Sequence, residues 1–184
     1  EAIDQKMTPG IQILVAKKGK IVYRKNFGTL DYNPAHKVND HTIYDLASLT
    51  KILATLPELM RLYTKGDFRP NDTFEDLLPR LKDTNKGGMT MKEVLSHYAQ
   101  FQSWIPFFNQ TLDKNKKPLP EFYSTTASDS FPTQVAKDLY LREGFTDSIY
   151  KRIDDSNLIK DKKYLYSDLP YYYFKLFIEK KTKK

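Results

Sequence analysis

The feature that most constrains the fold is a change in hydrophobic pattern between the first 30 residues and the segment that starts at Ser48. Two β-rich runs, Ile11–Ala16 and Ile21–Phe27, flank the turn Lys18-Gly19-Lys20, and this arrangement predicts an antiparallel hairpin. From Ser48 onward, apolar residues recur at helical spacing as far as Gly66, a natural helix stop. The sequence therefore predicts an α+β fold in which helices pack on an antiparallel sheet.

Local signals predict the remaining elements. Pro57 lies inside the first helical pattern and predicts a kink or irregularity there. Thr90-Met91-Lys92-Glu93 fits a capping box that opens a helix running to about Tyr98. Residues 99–131 predict a long irregular excursion of the kind that builds active-site walls. Further helices are predicted over Thr133–Leu139, over Asp147–Ser156, and from Leu169-Pro170 to Ile178.

Composition bounds the class of protein. The 184 residues are 40% hydrophobic, which suits a single folded domain, and no clear interdomain linker is present. The absence of cysteine removes disulfides, thiolate catalysis and cysteine-based metal sites. No apolar run approaches the ~20 residues needed to span a bilayer. The net charge of +7 forms no single basic block and accompanies no nucleic-acid-binding motif, so we expect no nucleic-acid partner.

One spacing carries chemistry. Ser48 stands three residues before Lys51 at the start of a predicted helix, which places both side chains on one face. A serine hydroxyl needs a neighbouring base before it can act as a nucleophile, and a lysine can serve if its surroundings lower its pKa. The pattern alone also fits a helix-capping serine followed by a solvated lysine.

The surrounding phrases distinguish these alternatives. Leu46-Ala47-Ser48-Leu49-Thr50-Lys51 follows the aromatic Tyr44, the predicted hairpin precedes it, and Leu95-Ser96-His97 and Tyr166-Ser167-Asp168 follow in that order. This series resembles the β-lactamase-related serine hydrolases and the penicillin-binding-protein superfamily, especially the class C β-lactamase and esterase branch. The resemblance implies a β-lactamase/transpeptidase-like α/β sandwich that is incomplete in this chain.

The resemblance also implies roles for particular residues. Ser48 would be acylated, Lys51 would hold or accept its proton, and Tyr166 would share the proton transfer. Asp168 would replace the asparagine that usually helps hold the lysine and substrate in place. Tyr44 and His97 would support the site, His97 by shaping the turn after its helix through a side-chain hydrogen bond.

Two aromatic residues outside this series are candidates for substrate binding. Trp104 and Phe107 are candidates for the wall of a substrate cleft, although packing is an equal alternative for them. The chain's histidines match no metal-ligand spacing, so we expect no metal and no other cofactor.

Several departures from the family pattern bear on activity. A carboxylate at Asp168 would favour the charged form of Lys51 and weaken it as a base. Gln100 and Pro170 stand where glycines are usual. The third family motif, Lys-Thr-Gly or His-Thr-Gly, has no counterpart, since Lys181-Thr182-Lys183 lacks the glycine. The sequence thus predicts a domain, 1–184, truncated before that motif. Either a further segment or a second chain supplies the missing strands, or the chain as given is catalytically impaired.

Two function classes remain open at this point. One is a serine hydrolase that forms an acyl-enzyme from an ester, a β-lactam or a D-amino-acid peptide; the other is a non-catalytic relative that binds peptidoglycan or peptide. The phrases Tyr32-Asn33-Pro34, Lys51–Thr55 and Ser103–Phe108 resemble a bacterial subgroup fused behind a β-N-acetylglucosaminidase domain. That similarity implies a small-molecule or peptidoglycan-derived substrate and a place in the periplasm or cell envelope.

Overall fold

A two-stranded hairpin forms most of the first of two units into which the chain divides, Glu1–Ala47 and a second unit that begins at Ser48. The computed structural model describes residues 1–183. Strands β1 (Gly10–Lys17) and β2 (Lys20–Gly28) pair antiparallel, with an irregularity in register after Val15. The predicted hairpin is confirmed, one residue longer at each end of both strands.

Glycine is required where the hairpin closes. Gly28 has a φ of 71°, and a Cβ atom there would lie 2.2 Å from the carbonyl oxygen of Pro9. Only glycine tolerates both the left-handed backbone and this close approach. The ends of the two strands therefore meet without a side chain between them.

The second unit opens with a helix whose first part is wider than an α-helix. A π-helical segment, Lys51–Thr55, runs directly into α1, Leu56–Lys65, and the backbone N–H of Leu56 bonds the carbonyl of Lys51. Pro57 lacks an N–H, and its ring clashes with the carbonyl four residues earlier in regular α geometry. The irregularity predicted at Pro57 is present as this π-helical segment.

Four further α-helices and two 3₁₀ turns complete the helical part of the described chain. The α-helices are α2 (Phe74–Leu77), α3 (Met91–Leu95), α4 (Phe145–Asp154) and α5 (Leu169–Thr182). The 3₁₀ turns are Pro79–Leu81 and Phe107–Thr111. Among residues 1–183, no helix is long and apolar enough to cross a membrane.

Helix α3 begins as predicted and ends earlier than predicted. The Thr90 hydroxyl accepts a hydrogen bond from the N–H of Glu93, and the Glu93 carboxylate accepts one from the N–H of Thr90, which completes the capping box. At the other end, the Ser96 hydroxyl bonds the carbonyl of Lys92 at 2.7 Å, and His97 has a φ of 59°. The left-handed residue stops the helix before Tyr98.

The helix predicted over Thr133–Leu139 is wrong. Strands β4 (Thr133–Ala136) and β5 (Leu139–Leu141) pair antiparallel there, and β3 (Tyr123–Ser124) joins the other edge of β5. Thr133 and Val135 are β-branched and favour extended backbone, and Asp138 takes a φ of 53° in the turn between the strands. The turn and the pairing across it override the weak helical periodicity.

The hydrophobic core lies around α5. The side chains of Leu169, Tyr173, Phe174 and Phe177 are each at most 1% exposed, and they pack against buried residues of α1, α2, α3 and α4. Tyr173 also donates a hydrogen bond from its hydroxyl to Asp154 Oδ1 at 2.6 Å. Its burial and this bond raise the pKa of the Tyr173 phenol.

We expect the capping box of α3 to contribute measurably to the free energy of unfolding. Thr90→Ala removes the side-chain acceptor for the N–H of Glu93 and should lower the free energy of unfolding by about 1 kcal/mol. Chemical denaturation at neutral pH measures this, with the exposed, irregular-segment residue Thr125→Ala as a matched control that should change little. Equal losses in both variants would contradict the assignment.

The same box predicts a loss of stability in acid. Hydrogen bonds to Lys162 and to the Thr90 backbone and side chain lower the pKa of Glu93 to about 2. A carboxyl with a depressed folded-state pKa stabilises the fold above its unfolded pKa, and this contribution disappears as pH falls towards about 2. The difference between wild type and Glu93→Gln should therefore shrink across that acid range.

Candidate active site

Ser48 lies at the first turn of the helix that continues into α1. The residue before it, Ala47, ends the first unit with a φ of 44°, and its N–H bonds Asp45 Oδ1 at 2.8 Å. A left-handed alanine costs roughly 1–2 kcal/mol and persists only where the neighbouring structure holds it. The Ser48 carbonyl accepts the N–H of Lys51 at 3.1 Å, and the Ser48 side chain is exposed.

Lys51 joins Ser48 to the start of α5. Its Nζ donates to Ser48 Oγ at 3.2 Å and to Asp168 Oδ1 at 2.6 Å. The Lys51 side chain is only 13% exposed, whereas Asp168 is 47% exposed. The ammonium also lies 5.0 Å from the ring centroids of Tyr166 and of Tyr171. The predicted pair Ser48 and Lys51 is thus in contact, and the Asp168 carboxylate contacts the same ammonium group.

The surroundings of Lys51 favour its charged form. Burial lowers the pKa of Lys51, but the hydrogen bond to Asp168 and the interaction with the neighbouring Tyr166 phenol outweigh it, so the net shift is upward. At neutral pH the lysine is an ammonium ion and has no lone pair for a proton. The sequence-based expectation that Asp168 weakens Lys51 as a base agrees with this geometry.

Tyr166 shows the opposite shift. Hydrogen-bonding interactions with Lys51, and next with Ser48, lower the pKa of the Tyr166 phenol below its ordinary value. The ring is held from behind by His97, whose ring centroid lies 4.7 Å away. The phenol oxygen is therefore the group beside Ser48 that loses its proton more readily than usual.

His97 connects the end of α3 to the segment that carries Tyr166. Its Nδ1 accepts the N–H of Ser167 at 3.2 Å, and its carbonyl accepts the N–H of Leu165 at 2.9 Å. The side-chain bond expected within the turn after α3 instead reaches this distant segment. Burial, and then the charge of Lys51, lower the pKa of His97, so the imidazole is neutral at pH 7 and its Nδ1 is an acceptor.

Asp168 is positioned by the backbone before α5. Its N–H bonds the carbonyl of Ser103 at 2.8 Å, and the buried Ser167 hydroxyl bonds the carbonyl of Gln102 at 2.6 Å. Pro170 lies in the first turn of α5, where a missing N–H costs nothing. These bonds fix the carboxylate at the amino end of a buried helix.

The other predicted residues lie in different places. Phe107 is 8% exposed and packs edge-on against Tyr172 with ring centroids 5.6 Å apart, and this burial favours packing, the second of the two alternatives left open for it. Trp104 is 57% exposed and stays a candidate. Tyr44 belongs to the first unit, where its side chain is 45% exposed.

Sequence reasoning missed two contributors. Tyr171 is not among the predicted site residues, yet its ring lies 5.0 Å from the ammonium of Lys51. Ser167 is buried and ties the Tyr166–Asp168 segment to Gln102. The available signal for Tyr171 was its place in the first turn of the helix that Pro170 marks, only five residues after Tyr166.

Gln100 illustrates how a departure from the family pattern is accommodated. The residue takes a φ of 59°, a conformation that glycine adopts without strain. Its Nε2 donates to the carbonyl of Ile159, and its own carbonyl accepts the N–H of Ile159, both at 2.9 Å. These two bonds offset the strain at a position where glycine is usual.

No arrangement of three or more histidine or carboxylate side chains suited to a metal ion occurs within residues 1–183. The polar groups around Ser48 are instead a hydroxyl, an ammonium, a phenol and a carboxylate. This set can transfer protons and stabilise charge around a serine oxygen.

Comparison with known proteins places this geometry in a family. The sequence profile of the beta-lactamase family matches residues 1–180. The chain belongs to the β-lactamase family. The resemblance drawn from the motifs around Ser48 and Tyr166 is therefore confirmed at the level of the family.

Curated relatives cover part of the chain. A protein of Escherichia coli strain K12 described as "Putative D-alanyl-D-alanine carboxypeptidase" is 34% identical over 107 residues, which are 50% of this chain and 24% of that protein. Protein flp of Staphylococcus aureus strain NCTC 8325 / PS 47 is 29% identical over 112 residues, 59% of this chain and 22% of that protein. The matched part is thus about a quarter of the length of these relatives.

Solved structures share the fold. A class C beta lactamase from Rhodobacter sphaeroides superposes with a TM-score of 0.63 at 15% identity, covering 97% of this chain and 41% of that one. Another class C beta lactamase gives 0.65 at 16% identity over 98% of this chain and 41% of the other. The expected β-lactamase/transpeptidase-like class, with helices and small antiparallel sheets, is confirmed, and the chain spans less than half the length of these structures.

The ion pair predicts a change in one titration. Asp168→Asn removes the carboxylate that bonds the ammonium while retaining its shape, so we expect the pKa of Lys51 to fall. The ¹³Cε shift of Lys51 followed by NMR against pH measures this. Lys175, whose pKa is raised by a hydrogen bond to Glu179, is an internal control that should not move. An unchanged Lys51 titration would show that Asp168 does not hold the ammonium.

Proposed function

We propose that this β-lactamase-family domain carries out acyl transfer with Ser48 as nucleophile. The observation that supports the proposal is that Lys51 Nζ lies 3.2 Å from Ser48 Oγ, with Asp168 bound to the same Nζ and the Tyr166 phenol beside Lys51 and Ser48. An activated nucleophile of this type needs a proton acceptor and a fixed positive charge within hydrogen-bond reach. Both are present around Ser48.

Tyr166 is the proposed proton acceptor. As a phenolate it takes the hydroxyl proton while Ser48 Oγ attacks the carbonyl carbon of the substrate and the carbonyl oxygen becomes an oxyanion. When the carbonyl re-forms, the bond to the leaving group breaks, and Tyr166 returns the proton to the leaving oxygen or nitrogen. Lys51 keeps its proton and stabilises the phenolate electrostatically. This assignment follows from the opposite pKa shifts of the two groups, which favour the ammonium and the phenolate together.

The developing negative charge on the substrate oxygen needs donors as well. The backbone N–H of Ser48, at the positive end of a helix, is the proposed first donor. A second donor is proposed to come from a strand that is not in this sequence, either a further segment of the protein or a second chain. Loss of one such donor costs about 10²–10³ in rate, so the complete domain is the proposed enzyme.

The proposed substrates are molecules with a reactive ester or amide carbonyl. An ester, a β-lactam or a D-amino-acid peptide each presents a carbonyl that this chemistry can acylate onto serine. The relative described as a D-alanyl-D-alanine carboxypeptidase supports a small or peptidoglycan-derived substrate. A location in the periplasm or cell envelope accompanies that substrate class.

A second candidate is a binding module without turnover. The 2.6 Å contact between Lys51 and Asp168 favours it, because a lysine held as an ammonium cannot be the base that the family pattern suggests. Such a module keeps the recognition surface and loses acylation. Labelling of Ser48 separates the two candidates.

Covalent labelling tests the proposal directly. A fluorophosphonate probe should form a single adduct on Ser48, detected by intact-mass and peptide mass spectrometry, and Ser48→Ala should abolish it. Lys51→Ala should reduce the labelling rate, and Tyr166→Phe should lower it by about 10²-fold, as for removal of a positioned acid or base. Absence of any adduct on well-folded protein would support the binding module.

The labelling rate should depend on pH in one direction. The phenolate is the reactive form, so the rate should rise with pH and reach a plateau. The midpoint of the rise should lie below the ordinary pKa of tyrosine, because the pKa of Tyr166 is lowered. The rise should disappear in Tyr166→Phe. A rise centred above pH 10 in wild type would instead assign the proton transfer to Lys51.

A further inference from the structure

Asp168 has an oxygen that its contact with Lys51 leaves unused. Oδ1 accepts the ammonium at 2.6 Å, and the carboxylate is nevertheless 47% exposed while the lysine is 13% exposed. The carboxylate therefore lies between a mostly buried cation and solvent. Since the same Nζ contacts Ser48 Oγ, this exposed negative group stands next to the atom that would carry an acyl group.

The Asp168 carboxylate does not cap the helix that it precedes. Asp168 is the N-cap residue of α5, and an aspartate there ordinarily accepts backbone N–H groups of the first turn. Within the described chain it forms no such bond: the Leu169 N–H bonds Ser167 Oγ at 3.2 Å, and Pro170 has no N–H. The local sequence thus directs the Asp168 carboxylate towards Lys51 and the open side of the site.

The charges facing Lys51 leave no surplus of positive charge. The groups around the ammonium are Asp168, Ser48, the phenols of Tyr166, Tyr171 and Tyr172, and the imidazole of His97. His97 is neutral at pH 7, and burial raises the pKa values of Tyr171 and Tyr172, so neither phenol ionises there. Asp168 then balances the charge of Lys51.

We propose that Asp168 is a specificity-determining residue whose free carboxylate oxygen binds an ammonium group on the acyl part of the substrate. The proposal rests on the acyl-transfer function above and names its substrate class: acyl donors that carry an amine within a few bonds of the reacting carbonyl. A carboxylate in the same place meets Asp168 as a like charge and is disfavoured. The acyl part is specified because it stays on Ser48, beside Asp168, after the leaving group departs.

Three para-nitrophenyl esters of equal length test this selectivity. The β-alanyl ester is cationic, the butyryl ester is neutral, and the succinyl half-ester is anionic, while all three share one leaving group. The second-order rate constant for acylation of Ser48 is measured from nitrophenolate release and from the mass of the adduct, with the Ser48→Ala rate subtracted. Wild type should react in the order β-alanyl, butyryl, succinyl.

The diagnostic quantity is the ratio of the β-alanyl to the succinyl rate constant. Asp168→Asn should lower this ratio about tenfold, the scale of one hydrogen bond to a charged group. Using a ratio removes any general change in reactivity caused by the altered ionisation of Lys51. The ratio in wild type should also fall as salt is added, because the carboxylate is half exposed.

A matched variant controls for net charge. Asp129→Asn makes the same change at an exposed position in the irregular segment before β4 and should leave the ratio unchanged. An equal ratio in wild type and Asp168→Asn, or an equal fall in Asp129→Asn, overturns the assignment to Asp168. Acylation without charge preference overturns this inference alone, whereas failure of all three esters and of the fluorophosphonate overturns the proposed function with it.

Discussion

Burial of one face of α5 determines where the polar groups of the site can meet. Tyr173, Phe174 and Phe177 are each at most 1% exposed, and the helix contacts both the π-helical segment and α1. Burying an aromatic side chain contributes roughly 1.5–3 kcal/mol, so this packing far exceeds any single polar contact in the site. Because α5 is fixed by its core face, Asp168 at its amino end is carried to Lys51 on the neighbouring helix.

That placement makes the ionisation of the site a consequence of the fold. The contact between Lys51 and Asp168 stabilises an ammonium, and the ammonium in turn stabilises a phenolate at Tyr166. His97 reinforces the arrangement without adding charge, since its ring supports Tyr166 and its Nδ1 accepts a backbone N–H. A proton acceptor other than lysine therefore fits the site better than the simple serine–lysine pair that the sequence spacing suggests.

The features that the sequence could predict are those determined by contacts between residues close together in the chain. Ser48 and Lys51 are one helical turn apart, the hairpin has a glycine turn, and Thr90 and Glu93 form a local capping box. The helix expected over Thr133–Leu139 failed because Thr133–Ala136 pairs with Leu139–Leu141 across a left-handed turn at Asp138, and hydrophobic periodicity does not reveal this pairing. The burial of Phe107 against Tyr172 and the position of the Tyr171 ring beside Lys51 could not be predicted, because both depend on residues distant in the sequence.

Asp168 shows how a single substitution within a motif can couple chemistry to recognition. The carboxylate accepts the Lys51 ammonium through Oδ1 and is 47% exposed, so the lysine and a cation bound as proposed would compete for the same negative charge. Linkage makes this competition reciprocal. If the ammonium form of Lys51 weakens binding of a ligand cation to Asp168, the bound cation weakens protonation of Lys51 by the same free energy and so lowers its pKa. A cationic acyl group bound in this way would therefore change the ionisation of Lys51, the charge that stabilises the proposed phenolate of Tyr166. An asparagine at this position carries no charge to share, and the two properties would be independent.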